Sequence, residues 1–194
     1  MSLEAKETKK IITILGSTGD FRMSVPEGTE GAETREYETS DGKKGVKHEL
    51  VFRSVSGKIS NVEFFEGDFG KNLLLTITDE DEPEAITVSI GCGTQHGEDF
   101  MKKFPGIDLD KEVNLRPFTF TDEKGKSVRG IAVTQDGEAV KNAYWDAEKK
   151  KSLLGYPEPE GDTTKFDSED WKMYFTKCRK HTMKWIEDNV VTKK

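Results

Sequence analysis

Residues 57–91 read GKISNVEFFEGDFGKNLLLTITDEDEPEAITVSIG, and this stretch decides the fold class. Leu73, Leu75 and Ile77 alternate with Leu74, Thr76 and Thr78; further on, Ile86, Val88 and Ile90 alternate with Thr87 and Ser89. A period of two with one apolar and one mostly polar face marks antiparallel strands wet on one side. The opening run Lys58 to Phe65 reads as a strand with an irregularity at Ser60-Asn61, where Ile59 and Val62 fall out of alternation. A tight turn at 66–70 (EGDFG) joins it to the next strand. The acidic run from Asp79 to Glu84 reads as a solvated turn, because it lacks the spaced ligands and turn glycine of a calcium loop.

Working outward toward the C-terminus, Phe100, Met101 and Phe104 at helical spacing predict a helix over Gln95 to Phe104, stopped by Pro105-Gly106. Val113–Thr121 and Val128–Gln135 form a hairpin around Asp122-Glu123-Lys124-Gly125-Lys126. Three meandering strands, a helix and a hairpin is the order of an OB-fold. The expected architecture is therefore mainly β, a five-stranded OB-fold β-barrel at 57–145 within a single domain of 194 residues. An N-terminal β-hairpin extension (9–56) precedes it, with a strand at Lys10–Leu15, a loop at Val25–Glu33, and a hairpin pairing Thr34–Thr39 with Val46–Phe52. After the barrel, Asp136-Gly137-Glu138 turns into a strand at Ala139–Trp145, then a polar linker (146–166) leads to a C-terminal α-helix (167–190). Asp167 or Ser168 caps that helix, and Trp171, Tyr174, Phe175, Cys178, Thr182, Trp185 and Ile186 form its apolar stripe. The helix also has a basic face, Lys172, Arg179, Lys180 and Lys184, and is expected to pack on the barrel or to join two copies as a homodimer.

Composition narrows the function classes. The chain is 33% hydrophobic and 35% charged, which suits a small core carrying polar loops. No apolar run approaches the ~20 residues that cross a bilayer, and the charged start lacks a signal-peptide apolar region, so the expected location is cytoplasmic, with no membrane partner. Cys92 and Cys178 are expected as free thiols. The three histidines, His48, His96 and His181, fall in no metal or nucleophile motif, and the four-residue spacing of Cys92 and His96 supplies no held base. No catalytic residue, metal or cofactor is expected, and the chain is read as a non-enzyme.

The formal net charge of −7 is segregated, with Lys43, Lys44, Lys47, Arg53 and Lys58 against a single acid, Glu49, between positions 43 and 58. Single-stranded nucleic acid needs exposed aromatic faces for bases and cations for phosphates. The first barrel strand and its turn offer Phe65 and Phe69 beside Lys58 and Lys71; the last hairpin offers Arg116, Lys124, Lys126 and Arg129; Tyr144 and Trp145 follow Lys141. In strict alternation Phe118 and Phe120 share a face with Arg116, whereas a bulge at Pro117 turns both into the core, and the bulged form is the one expected. The competing classes are a protein–protein or virion-associated β module, in which the aromatics are interfaces, and a small-molecule or glycan-binding OB domain.

The runs at 57–59 (GKI), 70–77 (GKNLLLTI), 108–117 (DLDKEVNLRP) and 132–137 (AVTQDG) resemble single-stranded-DNA-binding proteins of tailed bacteriophages. The likeness covers about Gly57 to Trp145, with a looser echo in the C-terminal helix. It implies an OB-fold that coats exposed single-stranded DNA during DNA replication or recombination in the bacterial host's cytoplasm. It also implies contacts with replication or recombination proteins. Many such proteins recruit those partners through an acidic tail; this sequence ends Val190-Val191-Thr192-Lys193-Lys194, so that route is not expected here.

Overall fold

The computed structural model of the chain describes residues 10–39, 41–79 and 84–191. The charged start before Lys10, Ser40 of the first hairpin turn, most of the acidic turn after Asp79, and Thr192-Lys193-Lys194 lie outside the described residues. The protein is mainly β, with a helix at its C-terminal end. Its strands are β1 (Lys10–Leu15), β2 (Asp20–Val25), β3 (Glu33–Glu38), β4 (Lys44–Phe52), β5 (Val55–Gly67), β6 (Gly70–Thr78), β7 (Ile86–Gly91), β8 (Glu112–Thr121) and β9 (Ser127–Gln135). Three two-residue strands follow, β10 (Glu138–Ala139), β11 (Trp145–Asp146) and β12 (Lys151–Ser152); the helices are α1 (Gln95–Lys103) and α2 (Ser168–Asn189).

The alternation in residues 70–91 translates directly into burial. Leu73, Leu75, Ile77, Val88 and Ile90 all lie in the core, and each such aliphatic side chain contributes roughly 1.5–3 kcal/mol by leaving water. The β5–β6 register slips between Ile59 and Asn61, where alternation breaks in the sequence. That bulge lets Ile59 and Val62 both turn inward. α1 carries Phe100 and Met101 into the same core, and Thr94 caps it by accepting a hydrogen bond from Gly97 N at 3.1 Å. α2 begins on a capping box between Asp167 and Asp170 and buries Cys178, Thr182 and Ile186. Phe175 of its expected stripe stays half exposed, its ring stacked on Trp171.

Element order follows the expectation from β5 to β9, but the sheet does not. It has ten strands in the order β10-β9-β8-β5-β6-β7-β1-β2-β4-β3, and no ladder closes it into a five-stranded barrel. The reason lies at two strand edges. β7 spends its second edge on β1, which runs parallel to it with Ile12 beside Val88. The outer edge of β9 is occupied partly by β10 and partly by α1: Asp99 accepts from Ile131 N at 2.9 Å, and Lys103 donates to Ile131 O at 2.7 Å. A side-chain pair thus satisfies the backbone groups that a closing strand would otherwise meet. The sheet still curls, so that the β1–β2 turn reaches β8, where Thr119 Oγ1 donates to Gly16 O at 3.1 Å. Gly19 sits against the Thr119 backbone with φ +75°, and a Cβ there would lie 2.5 Å from Thr119 N.

Three further differences are local. β2 has no counterpart in the sequence expectation; its Arg22 is buried beside Glu49, and Arg22 also bonds Glu33 at 3.1 Å. The strand expected at Ala139–Trp145 shrinks to β10, because the chain turns away after Ala139. The stretch expected as a polar linker holds the β11–β12 hairpin, and its Tyr156 ring packs 5.2 Å from Tyr144. No helix among the described residues is long and apolar enough to cross a membrane.

Candidate nucleic-acid interface

The β8–β9 hairpin carries the best-formed combination of aromatic and cationic groups. Val113, Leu115 and Pro117 are buried, and Arg116, Phe118 and Phe120 alternate onto the opposite, outward face. The expected bulge at Pro117 is absent, since the register runs unbroken from Asn114↔Thr134 to Thr121↔Ser127. Pro117 needs no bulge because it lies past Val55↔Leu115, where the β5 ladder ends. It also sits opposite Ile131, whose own backbone groups turn away to α1. No ladder donor is lost at that position.

Phe118 and Phe120 therefore stack on each other, centroids 5.9 Å apart and planes inclined by 29°, with Phe120 53% exposed. Gly130 lies opposite Phe118, and a Cβ there would be 2.6 Å from the ring, so the glycine gives the aromatic its seat. Asp122 organises the tip by accepting from Lys124 N at 2.9 Å and Lys126 N at 2.8 Å. Both lysine side chains are thrown into solvent. Behind the aromatic pair, His96 Nε2 lies 3.0 Å from Phe118 O and 3.3 Å from Thr119 Oγ1, tying α1 to the strand.

Lys58 joins this face. It pairs across β5–β8 with Glu112, two positions before Asn114 and four before Arg116 on the same side of the sheet. Phe65 lies on that side too, opposite Asn72 on β6. Among the described residues, Arg53, Lys58, Arg116, Lys124, Lys126 and Arg129 form no ion pair. Arg129 pairs with Thr119 and faces the other side, toward the β1–β2 turn, its guanidinium reaching Gly16. Arg53 enters two residues before Val55, at the start of β5.

Other expected residues stand apart. Lys43 and Lys44 lie at the far end of the nine-residue β4, about 26 Å from Phe52 at ~3.3 Å per residue. They are matched by Asp41 and Glu38 respectively, and Lys47 covers the Tyr37 ring at 5.3 Å. Lys71 is withdrawn: its ammonium bonds Glu187 of α2 at 2.5 Å and covers the Phe64 ring at 4.6 Å. Tyr144 is 1% exposed and packs against Tyr156 and His181, so it presents no face to a base, and burial pushes its hydroxyl pKa up. Its neighbour Trp145 remains half exposed on the small β11–β12 hairpin. Phe69 is fully exposed at the β5–β6 turn, but Glu63, Glu66 and Asp68 surround it in sequence.

Cys92 and His96 do not form a thiol–imidazole pair. Cys92 is buried and its thiol is pushed up to about 11, chiefly by loss of water, while the imidazole faces the Phe118 carbonyl. Both cysteines are free. Among the described residues, no three His, Cys, Asp or Glu side chains gather as a metal ion would need.

Burial also lowers the pKa of His96 from its ordinary 6.5, so the folded chain keeps it neutral where the unfolded chain takes up a proton. The stability it contributes is complete above 6.5 and is lost as pH falls from there through the folded value. The loss is at most about 1.4 kcal/mol per pH unit. Thermal melts on acidification should fall more steeply for the wild type than for His96→Gln, and parallel curves would refute this role. Compared with known proteins, the chain matches no family model, no curated protein and no solved structure.

Proposed function

We propose that this protein binds single-stranded DNA without sequence preference, as a cytoplasmic, non-enzymatic factor that coats exposed strands in DNA replication or recombination. Bases stack on the outward pair Phe118 and Phe120, while Lys58, Arg116, Lys124 and Lys126 meet phosphates. The observation that carries this reading is the coincidence, on the outward face of β5 and the β8–β9 hairpin, of a stacked aromatic pair with cations that have no carboxylate partner among the described residues. In a protein with a net charge of −7, cations unmatched among the described residues beside a stacked aromatic pair suit a polyanion with flat bases. We read β5 to β9 with α1 as an OB-type unit, supported by the antiparallel pairs β5–β6, β6–β7, β5–β8 and β8–β9 and by the helix between β7 and β8. The curl that brings the β1–β2 turn to β8 is compatible with a barrel-like wall.

Titrating labelled oligo-dT at several salt concentrations tests the reading. Four phosphate contacts predict a slope of log K against log salt of about −3, at ~0.7 per contact for single strands. Duplex DNA of equal length should compete poorly, because its bases offer no free face. Absence of oligo-dT binding at low salt would sink the proposal. The reading as a protein-binding module draws support from one observation, the bare Phe69 among carboxylates, and that observation leads to a separate inference.

A further inference from the structure

The protein carries two surface features of opposite sign, an acidic tip and a helix face whose Lys172 and Lys180 have no ion-pair partner among the described residues. The first is the β5–β6 tip. Asp68 and Phe69 form a two-residue turn closed by Gly67↔Gly70, and the Phe69 side chain touches nothing that removes it from water. Among the described residues, Glu63, Glu66 and Asp68 have no ion-pair partner, and the nearest lysine, Lys71, is already bound to Glu187. Such a tip repels phosphate, so strand binding leaves it unexplained.

The second feature is the outward face of α2, away from the body. Glu169, Lys172, Met173, Thr176, Lys177 and Lys180 line an open groove of about 510 Å³ along one helix stripe, with Met173 67% exposed at its centre and Lys177 bound to Glu160. That volume falls in the ~300–1,000 Å³ of clefts that hold a side chain or small ligand. Lys172 and Lys180 have no carboxylate partner among the described residues. A central methionine adapts to an aromatic ring, and the two unpaired lysines, which outnumber the single lining carboxylate of Glu169, suit a ring flanked by carboxylates.

We propose that the acidic Phe69 tip of one copy docks into the basic α2 groove of a second copy of this chain. The tip and the groove are different patches, so the contact is heterologous and leaves a tip and a groove free at the two ends of every assembly. Copies therefore add head to tail. The contact needs no nucleic acid; where strand binding holds, it makes neighbouring copies bind cooperatively.

Sedimentation velocity of the full chain without DNA tests this apart from strand binding. At low salt the sedimentation coefficient of the wild type should rise with protein concentration, and Phe69→Ala should hold it at the monomer value. A tip-reversed variant (Glu66→Lys with Asp68→Lys) and a groove-reversed variant (Lys172→Glu with Lys180→Glu) should each be monomeric alone, since each faces itself with like charge. Mixed together they should assemble again, because each tip then meets a groove of opposite sign. All of these substitutions are at exposed positions, and unchanged melting temperatures exclude misfolding. A wild type that stays monomeric at every concentration, or a mixture that stays monomeric, overturns the proposal. So does a Phe69→Ala chain that associates like the wild type.

Discussion

Replacing Phe118 and Phe120 together with alanine is expected to weaken oligo-dT binding at least roughly 30-fold, with the salt slope unchanged. Base–aromatic stacking contributes ~1–3 kcal/mol per base, so two platforms together give about 2 kcal/mol at the low end, and 1.4 kcal/mol is about tenfold. The slope should stay near its wild-type value because the phosphate contacts come from Lys58, Arg116, Lys124 and Lys126, which the double substitution leaves in place. Fold stability is a fair control. Phe120 is more than half exposed and Phe118 is only partly covered, so removing them opens no sealed cavity. The complementary variant, Arg116, Lys124 and Lys126 each changed to glutamine, should do the reverse and flatten the slope by about two, at ~0.7 per lost contact. Near-wild-type affinity in the double alanine chain would remove the platform from the mechanism.

Gly97→Ala should destabilise the protein by several kcal/mol, although alanine is the better helix former by ~1 kcal/mol. The sign reverses because of where α1 sits. A Cβ on Gly97 would lie 2.1 Å from the carbonyl oxygen of Gly91 and 3.2 Å from Cys92 Cα, both backbone atoms. Neither can swing aside as a long side chain can, so the helix must lift from the end of β7. Lifting α1 also loosens Asp99 and Lys103 from the β9 edge and His96 from the Phe118 carbonyl. The loss should therefore appear twice, as a large drop in the urea midpoint and as weaker oligo-dT binding in the folded remainder. An alanine variant as stable as the wild type would mean that α1 does not rest directly on Gly91.

Both expectations turn on how strands meet, which the sequence discloses unevenly. Alternation at Leu73–Ile77 and Ile86–Ile90, the lapse at Ser60-Asn61 and the Asp167 cap are local signals, carried by neighbours a few residues apart. They led to the right elements at nearly the right bounds. The same alternation also held the orientation of Phe118 and Phe120, since Val113, Leu115 and Pro117 form one row and Arg116, Phe118 and Phe120 the other. A proline in mid-strand argued for a bulge only while its ladder partner was unknown. Once Pro117 falls beyond the end of β5 and opposite Ile131, there is no hydrogen bond for it to break.

Local sequence was enough for a mainly β protein with a C-terminal helix and for the inward rows of β6 and β7, because the two-residue period of a strand is a property of its own backbone; at Pro117 it pointed to the wrong row. Tertiary structure alone decided which edges meet. β1 lies parallel to β7, 76 residues away along the chain at every paired position, and α1 caps the outer edge of β9, so the sheet runs to ten strands and stays open. It decided equally that Lys71 is bound to Glu187 and Tyr144 is buried, while Lys58, Arg116, Lys124 and Lys126 form no ion pair among the described residues. A side chain's face can be read from its neighbours in sequence. Its partners depend on which distant segment packs against it, and backbone periodicity carries no record of that choice.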